Sequence, residues 1–281
     1  MAEPAIHPAR GVRRNDSAPA AGSRASDSRP DVDPPPGAPP QTTRAYRVRF
    51  DEATTEGTAR TSTLLRWAQD VAWIHSERLG FTRDWYAKRG LAWLVRGVEL
   101  NVLLPVSTGD EIEVTTGVVG YRKVWARRRT DFHDSPGIVA AWAHTDWVMT
   151  DGRGSPVRVP AEFGAFIAQP APSFTPTRVP LPSTPERAFS RTLPVRPREL
   201  DPMGHVNNAV YLDHLEECVA ALDGGERALN ALPRTYRLEY LLPAEPGANL
   251  QGRAWTSPDG SHAFRLSDAK MTELFRGRLE T

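Results

Sequence analysis

The stretch of sequence that decides the fold reads Arg198-Glu199-Leu200-Asp201-Pro202-Met203-Gly204-His205-Val206-Asn207-Asn208-Ala209-Val210-Tyr211. A predicted strand, Phe189 to Val195, precedes it, and an apolar helical pattern runs from about Val206 to Leu222. The motif therefore occupies a strand-to-helix junction. A helix that begins there presents unpaired backbone N–H groups and the positive end of its dipole to a ligand.

Asp201 is the candidate catalytic group of this motif. Preorganised N–H donors at a helix start stabilise a carbonyl oxygen that becomes an oxyanion, typically by about 3 to 4 kcal/mol per donor. A carboxylate in the preceding loop is then placed to attack the carbonyl or to activate water. The simpler alternative is that Asp201, Asn207 and Asn208 are turn and cap residues. The joint spacing of Asp, Gly, His, two Asn and Tyr favours catalysis.

Two neighbours of Asp201 have candidate roles of their own. Gly204 would let a ligand approach the backbone closely. His205 is assigned to orientation or proton transfer, and the alternative for a histidine at a helix start is structural packing.

The order of predicted elements repeats on either side of a proline-rich segment. A strand from Tyr46 to Phe50, a helix from about Thr61 to Leu79 and further strands come first, and the same order returns from Phe189. Residues 170 to 185 contain six prolines, which neither a helix nor a central strand accommodates. The pattern predicts an α+β fold in which an antiparallel sheet wraps a long central helix, twice over.

The predicted domain limits follow from composition and from this repeat. Residues 1–44 are rich in Pro, Ala, Ser, Arg and Asp, lack aromatic side chains, and are predicted to be a disordered tail. Residues 45–169 form the first predicted domain, 170–188 the linker and 189–281 the second domain. The loop at 51–58 in the first repeat lacks the motif, so the first domain is predicted to be catalytically silent.

Composition excludes several other classes of protein. A formal net charge of +1 gives no global attraction to nucleic acid or to an anionic membrane. No stretch approaches the roughly 18 apolar residues of a membrane span, and the first residues lack the apolar core of a secretory signal. The single cysteine, Cys218, excludes an internal disulfide, and no compact ligand spacing predicts a metal. We therefore expect a cytoplasmic enzyme that needs no cofactor.

The motif resembles the hotdog thioesterase signature, in which a loop Asp precedes Gly-His-Val-Asn-Asn and a Tyr one turn later. A wider resemblance, over about residues 45 to 281, is to the acyl carrier protein thioesterases of fatty-acid synthesis, whose chains carry two hotdog domains. It is carried by Thr58 to Asp70, Ser76 to Phe81, Leu91 to Arg96, Thr108 to Asp110 and Trp147 to Met149.

Two departures distinguish this chain from the plant-type members. Those members carry an Asn two residues before the motif His, where this chain has Met203. They also carry a Glu-Cys pair after a Leu-Glu-Tyr run, where this chain continues from Tyr240 to Pro243 and Ala244. The remaining motif residues are Asp201, Gly204 and His205. They resemble the site of the simpler bacterial hotdog thioesterases, in which a single loop carboxylate is the main catalytic group.

The resemblance implies a hydrolase that releases a fatty or polyketide-like acid from acyl carrier protein or coenzyme A. Asp201 and His205 would be catalytic, and substrate-binding residues would be Gly204, Val206, Asn207, Asn208 and Tyr211. In the resembling family the silent domain holds the acyl tail, and Trp93 is our candidate for the floor of its pocket. A homodimer of tandem hotdogs also remains open.

A basic cluster at a predicted hairpin is the candidate contact for an acidic carrier protein. Its members are Arg122, Lys123, Arg127 and Arg128, and the alternative is a solvated strand face.

Two alternatives to hydrolysis also remain: a hotdog dehydratase or hydratase, and a non-enzymatic acyl-thioester-binding protein. The Asp-before-Gly-His spacing favours hydrolysis, and the sequence shows no DNA-binding helix pair that a sensor would need.

Overall fold

A computed structural model describes residues 40–134, 137–166 and 173–281. The first half contains β1 (Gln41–Arg47), α1 (Thr61–Arg78), α2 (Arg83–Arg89), β2 (Leu91–Val102), β3 (Glu111–Arg122), β4 (Trp125–His133) and β5 (Val139–Asp151). The second half contains β6 (Phe189–Pro194), α3 (Asn208–Ala220), α4 (Gly225–Asn230), β7 (Arg234–Tyr240), β8 (Asn249–Thr256), β9 (His262–Ser267) and β10 (Glu273–Glu280). Both halves thus run strand, long helix, short helix and four strands.

The strands of both halves form one antiparallel sheet. Its order is β1-β3-β4-β5-β2-β7-β10-β9-β8-β6. Strands β2 and β7 join the halves at the centre, where Gly97 lies opposite Glu239 and Val102 lies opposite Arg234. Helices α1 and α3 contact each other along this junction. The start of each long helix therefore lies close to the other half of the molecule.

Both long helices bury the faces that the sequence predicts. Leu64, Ala68 and Val71 of α1 are at most 6% exposed, and Leu215 of α3 is fully buried. These side chains belong to one hydrophobic cluster that spans the two halves. Gly277 of β10 permits the close approach of α3, because a Cβ there would lie 2.2 Å from the Leu215 side chain. Burying an apolar side chain of this size contributes about 1.5 to 3 kcal/mol.

The first strand begins earlier than the sequence predicts. The expected strand, Tyr46 to Phe50, is replaced by β1 at Gln41–Arg47, which pairs with β3, and Phe50 lies 92% exposed in a 3₁₀ turn. The boundary expected at residue 45 is therefore too late. Thr42 is the reason, because it is 1% exposed and fills a core position that an apolar pattern does not reveal. The rest of the expected tail, residues 1–39, lies outside the described residues.

The proline-rich segment crosses the outer face of the sheet in its described part, residues 173–188. Thr177 N donates to Asp146 Oδ2 at 2.6 Å, and Val179 N donates to Glu239 Oε2 at 3.0 Å. Farther along, the carbonyl of Pro182 accepts from Arg265 at 3.0 Å. The segment therefore passes over β5, β7 and β9 in turn. Side chains of the sheet satisfy a backbone that forms no strand of its own.

None of the helices in the described ranges is long and apolar enough to cross a membrane.

Candidate active site

The motif folds into a tight hairpin loop in front of α3. Leu200 and Val206 form an isolated antiparallel bridge, and Asp201 N donates to the carbonyl of His205 at 2.8 Å. Gly204 turns the chain with φ +78°, and a Cβ there would meet nothing within 4 Å. The glycine is therefore required by the left-handed backbone, which L side chains rarely adopt.

Asp201 is half-buried, and its two carboxylate oxygens differ. Oδ1 accepts hydrogen bonds from the backbone N–H of Met203 at 2.8 Å and of His205 at 3.2 Å. Oδ2 has no hydrogen-bond partner among the residues that the structure describes. One oxygen therefore holds the loop in the manner of a turn-capping Asp, and the other is available for chemistry.

The start of α3 is capped by Asn207. Its Oδ1 accepts from Ala209 N at 2.9 Å, and its backbone carbonyl accepts from Val210 N at 2.9 Å. The N–H of Asn208 has no hydrogen-bond partner within the described ranges. A free N–H at a helix start is a donor for a negative oxygen. Asn207 therefore caps the helix, and the N–H of Asn208 is still available to a ligand.

The first half of the chain contributes to this site through α1. Gln69 Oε1 accepts from the Asn207 Nδ2 at 3.1 Å, and Tyr240 donates its hydroxyl to the Asn208 carbonyl at 3.0 Å. A small cavity of about 10 Å³ opens beside these groups and extends between α1 and the first half of the sheet. Its lining consists of Leu65, Ala68, Gln69, Val95, Val98, Arg128, Thr145, Trp147, Asn208 and Tyr240. The cavity thus connects the start of α3 with the interior of the first half.

Two of the expected substrate-binding residues are core residues. Val206 and Tyr211 are each 3% exposed. The Tyr211 hydroxyl accepts from Ala244 N at 2.9 Å, and burial raises the pKa of this phenol. Tyr211 therefore fixes the segment after β7 and stays protonated.

Neither His205 nor Trp93 is among the residues that line the cavity. His205 is half-buried beside Asp201, and its ring forms no hydrogen bond within the described part of the chain. Trp93 does not line the cavity; its indole N–H donates to the Tyr86 hydroxyl at 3.1 Å, and its ring packs edge-on to Phe163. Its role as a tail-pocket floor stays a prediction.

The basic cluster does not form one surface. Arg127 points outward and forms a bidentate ion pair with Asp146, with both N···O distances 2.7 Å. Arg128 points inward to the cavity, and Arg122 and Lys123 are exposed. Successive side chains of a strand face opposite sides of a sheet, which separates Arg127 from Arg128. Arg122 and Lys123 are therefore the exposed members of the group, and the carrier contact of the four residues stays a prediction.

The first half contains a loop of the same shape as the motif. Thr54 N donates to the Thr58 carbonyl at 2.7 Å, and Gly57 has φ +78°, the value found at Gly204. Thr54 and Thr58 therefore stand where the second loop has Asp201 and His205. This correspondence has a signal in the sequence, because Arg-x-x-Glu precedes both loops, at Arg49 to Glu52 and at Arg196 to Glu199.

Cys218 is a core residue. It is fully buried, and burial raises the pKa of its thiol to about 12. A thiol with that pKa is protonated at neutral pH and is a poor nucleophile.

The family model of the acyl-ACP thioesterase N-terminal domain matches residues 39–167. Residues 39–167 are therefore similar to the N-terminal domain of acyl-ACP thioesterases. A chloroplastic acyl-[acyl-carrier-protein] hydrolase of Cuphea viscosissima is 26% identical over 258 residues, which cover 84% of this chain and 61% of that relative. The chain therefore spans less than two thirds of the length of this relative.

Two solved thioesterase structures share the fold. The acyl-ACP thioesterase from Bacteroides thetaiotaomicron superposes with a TM-score of 0.72 at 15% identity, covering 85% of this chain and 96% of the other. The 12:0-ACP thioesterase from Umbellularia californica superposes with a TM-score of 0.71 at 20% identity, with the same coverage of 85% and 96%. The predicted α+β tandem hotdog fold and the predicted family resemblance are confirmed.

Proposed function

We propose that this protein hydrolyses acyl thioesters and releases a fatty or polyketide-like acid from acyl carrier protein or coenzyme A. The proposal depends above all on Asp201, whose Oδ2 is available in a loop that leads directly into the capped start of α3. The free N–H of Asn208 lies at that start, and Asn208 is one of the residues that line the cavity. The names of the relatives support the same reaction class.

The chemistry follows from these two groups. The Asn208 N–H donates to the thioester oxygen as it becomes negative, and the dipole of α3 strengthens this interaction. Asp201 Oδ2 either attacks the carbonyl carbon or takes a proton from an attacking water. The carbon–sulfur bond then breaks, and the thiolate that leaves takes up a proton. Where Asp201 itself has attacked, water then hydrolyses the acyl–Asp201 anhydride and releases the acid. His205 is our candidate for delivering that proton, since it lies in the same loop.

The lining of the cavity supports our proposal for the position of the acyl chain. Leu65, Val95 and Val98 give it an apolar wall inside the first half of the chain. Gln69 and Asn208 line the same cavity, at the side where the first half meets the start of α3. We therefore place the acyl chain between α1 and the sheet of the first half, with its thioester at Asn208. The first half supplies the chain pocket and the second half supplies the reactive groups.

The choice of leaving group is a finer part of the proposal. Acyl carrier protein presents an extended acidic surface, whereas coenzyme A does not. Arg122 and Lys123 are exposed at the β3–β4 turn and are the basic residues that we assign to this contact. We favour acyl carrier protein as the leaving group on this basis.

The test is thiol release from a panel of acyl carrier protein and coenzyme A thioesters. Asp201→Asn keeps Oδ1 as the acceptor that holds the loop and removes the charge, so we expect turnover to fall about 100-fold or more with the fold intact. Asp51→Asn is the matched control, because Asp51 is an exposed acid before the corresponding loop of the first half. Near-normal turnover in Asp201→Asn, with the melting temperature unchanged, would contradict the proposal.

A further inference from the structure

Arg128 is an unusual lining residue for a pocket that holds a hydrocarbon chain. Its guanidinium lies on the cavity wall and donates to His75 Nδ1 at 2.7 Å. Its neighbours Arg127 and Arg129 point outward and pair with carboxylates, namely Asp146 and Asp131. Among the described residues, Arg128 itself has no carboxylate within ion-pair distance. A half-buried cation on the cavity wall is therefore left without a countercharge within the described ranges.

Trp147 adds a second donor to the same wall. Its indole N–H is fully buried and has no hydrogen-bond partner among the described residues, and its side chain lines the cavity. In the register of β4 and β5, Arg128 lies opposite Thr145 and Ala126 lies opposite Trp147. Arg128 and Trp147 are thus diagonal neighbours on one face of the sheet.

These two groups require an acceptor. A guanidinium and an indole N–H donate hydrogen bonds and accept none. A saturated acyl chain would fit the apolar wall of Leu65, Val95 and Val98. Among the described residues it would leave the Trp147 N–H without an acceptor and the Arg128 guanidinium with His75 as its one acceptor, which is costly. Burial lowers the pKa of Arg128 to about 10, so the side chain remains charged at neutral pH and favours an oxygen ligand.

We propose that the cavity selects acyl thioesters whose chain carries an oxygen acceptor, and that Arg128 and Trp147 donate hydrogen bonds to it. The acceptor is a hydroxyl, a ketone or a carboxylate on the chain. This inference rests on the proposed thioester hydrolysis and adds the chemistry of the acyl group. Arg128 acts as a specificity-determining residue, whereas Asp201 carries the reaction.

The experiment measures kcat/KM for coenzyme A thioesters of one chain length that differ only in their substituent: saturated, hydroxyl, ketone and terminal carboxylate. We expect the wild-type protein to prefer at least one oxygen-bearing chain over the saturated chain by about tenfold or more. Arg128→Met should abolish this preference, so its kcat/KM should fall more on the oxygen-bearing chains than on the saturated chain. Arg129→Met, which removes a guanidinium from the outer face of the same strand, should preserve it.

Two further variants identify the acceptor and guard against misfolding. Arg128→Gln keeps donors but loses the charge, so a preference for a hydroxyl or a ketone should persist in part and one for a carboxylate should vanish. Trp147→Phe removes the indole N–H and keeps a smaller aromatic ring. If Arg128→Met does not fold, the substrate profiles of the wild type and of Trp147→Phe decide whether the cavity prefers an oxygen-bearing chain.

Specific results would overturn the inference. One is a wild-type protein that hydrolyses the saturated chain as fast as every oxygen-bearing one; another is an Arg128→Met variant that loses the same factor on all substrates. Hydrolysis that depends on Asp201 without an oxygen preference would reject this inference alone. If no thioester is hydrolysed, the proposed function fails, and binding of the free acids, compared by thermal shift, still decides whether the cavity prefers an oxygen-bearing chain.

Discussion

The substitution Arg127→Met separates a structural role of this arginine from a role in carrier binding. The Asp146 carboxylate is fully buried, and it accepts two bonds from Arg127 and one from Thr177 N, at 2.6 to 2.7 Å. Removing Arg127 leaves a buried charge with one backbone donor. Breaking a buried pair in this way costs about 3 to 5 kcal/mol, a large share of the roughly 5 to 15 kcal/mol that stabilises most domains.

This loss is large enough to measure by thermal unfolding. For a protein of this size each kcal/mol lowers the melting temperature by about 2 to 4 °C, so Arg127→Met should melt roughly 6 to 20 °C below the wild type. Arg122→Met is the control, because Arg122 is exposed and lies near the end of β3, at the turn into β4. Its melting temperature should stay close to that of the wild type.

A second substitution tests the reason for the loss. In the double variant Arg127→Met with Asp146→Leu, no charge is left buried, so we expect much of the lost stability to return. The ratio of turnover on acyl carrier protein to turnover on coenzyme A substrates should stay unchanged in Arg127→Met at a temperature where it is folded. A wild-type melting temperature combined with a selective loss on carrier substrates would refute the structural assignment.

Further predictions concern the acyl pocket, the carrier contact and the response to pH. Trp93→Ala should shift turnover toward longer acyl chains in a chain-length series; an unchanged profile in a folded variant would place the tail elsewhere. Reversing Arg122 and Lys123 to Glu should weaken turnover of carrier-protein substrates more than that of coenzyme A substrates, and equal losses would argue against the contact. His214 is 6% exposed, neither ring nitrogen has a partner among the described residues, and burial lowers its pKa. The unfolded chain therefore binds the proton more readily, so the free energy of unfolding should fall as pH drops below about 6.5, and His214→Phe should reduce that slope in urea titrations.

The sequence by itself determined the features that depend on neighbouring residues. The 3.6-residue period located α1 and α3 and their buried faces, because a helix places residues three and four apart on one side. Six prolines between residues 170 and 185 excluded regular structure there, since proline has no N–H for a ladder. The spacing of Asp201, Gly204 and Asn207 predicted the loop and the cap, because each bond in them spans only a few residues.

The tertiary structure alone decided which distant groups meet. Gln69 and Asn207 are 138 positions apart, and only the central pairing of β2 with β7 brings the first half to the start of α3. In the sequence, Arg127 and Arg128 belong to the same run of basic residues, and nothing there distinguishes them. In the pleated strand β4, Arg127 pairs with the buried Asp146 carboxylate beneath the linker, whereas Arg128 faces the cavity. Which face of a strand points inward depends on its pairing with neighbouring strands and on the helix packed against the sheet.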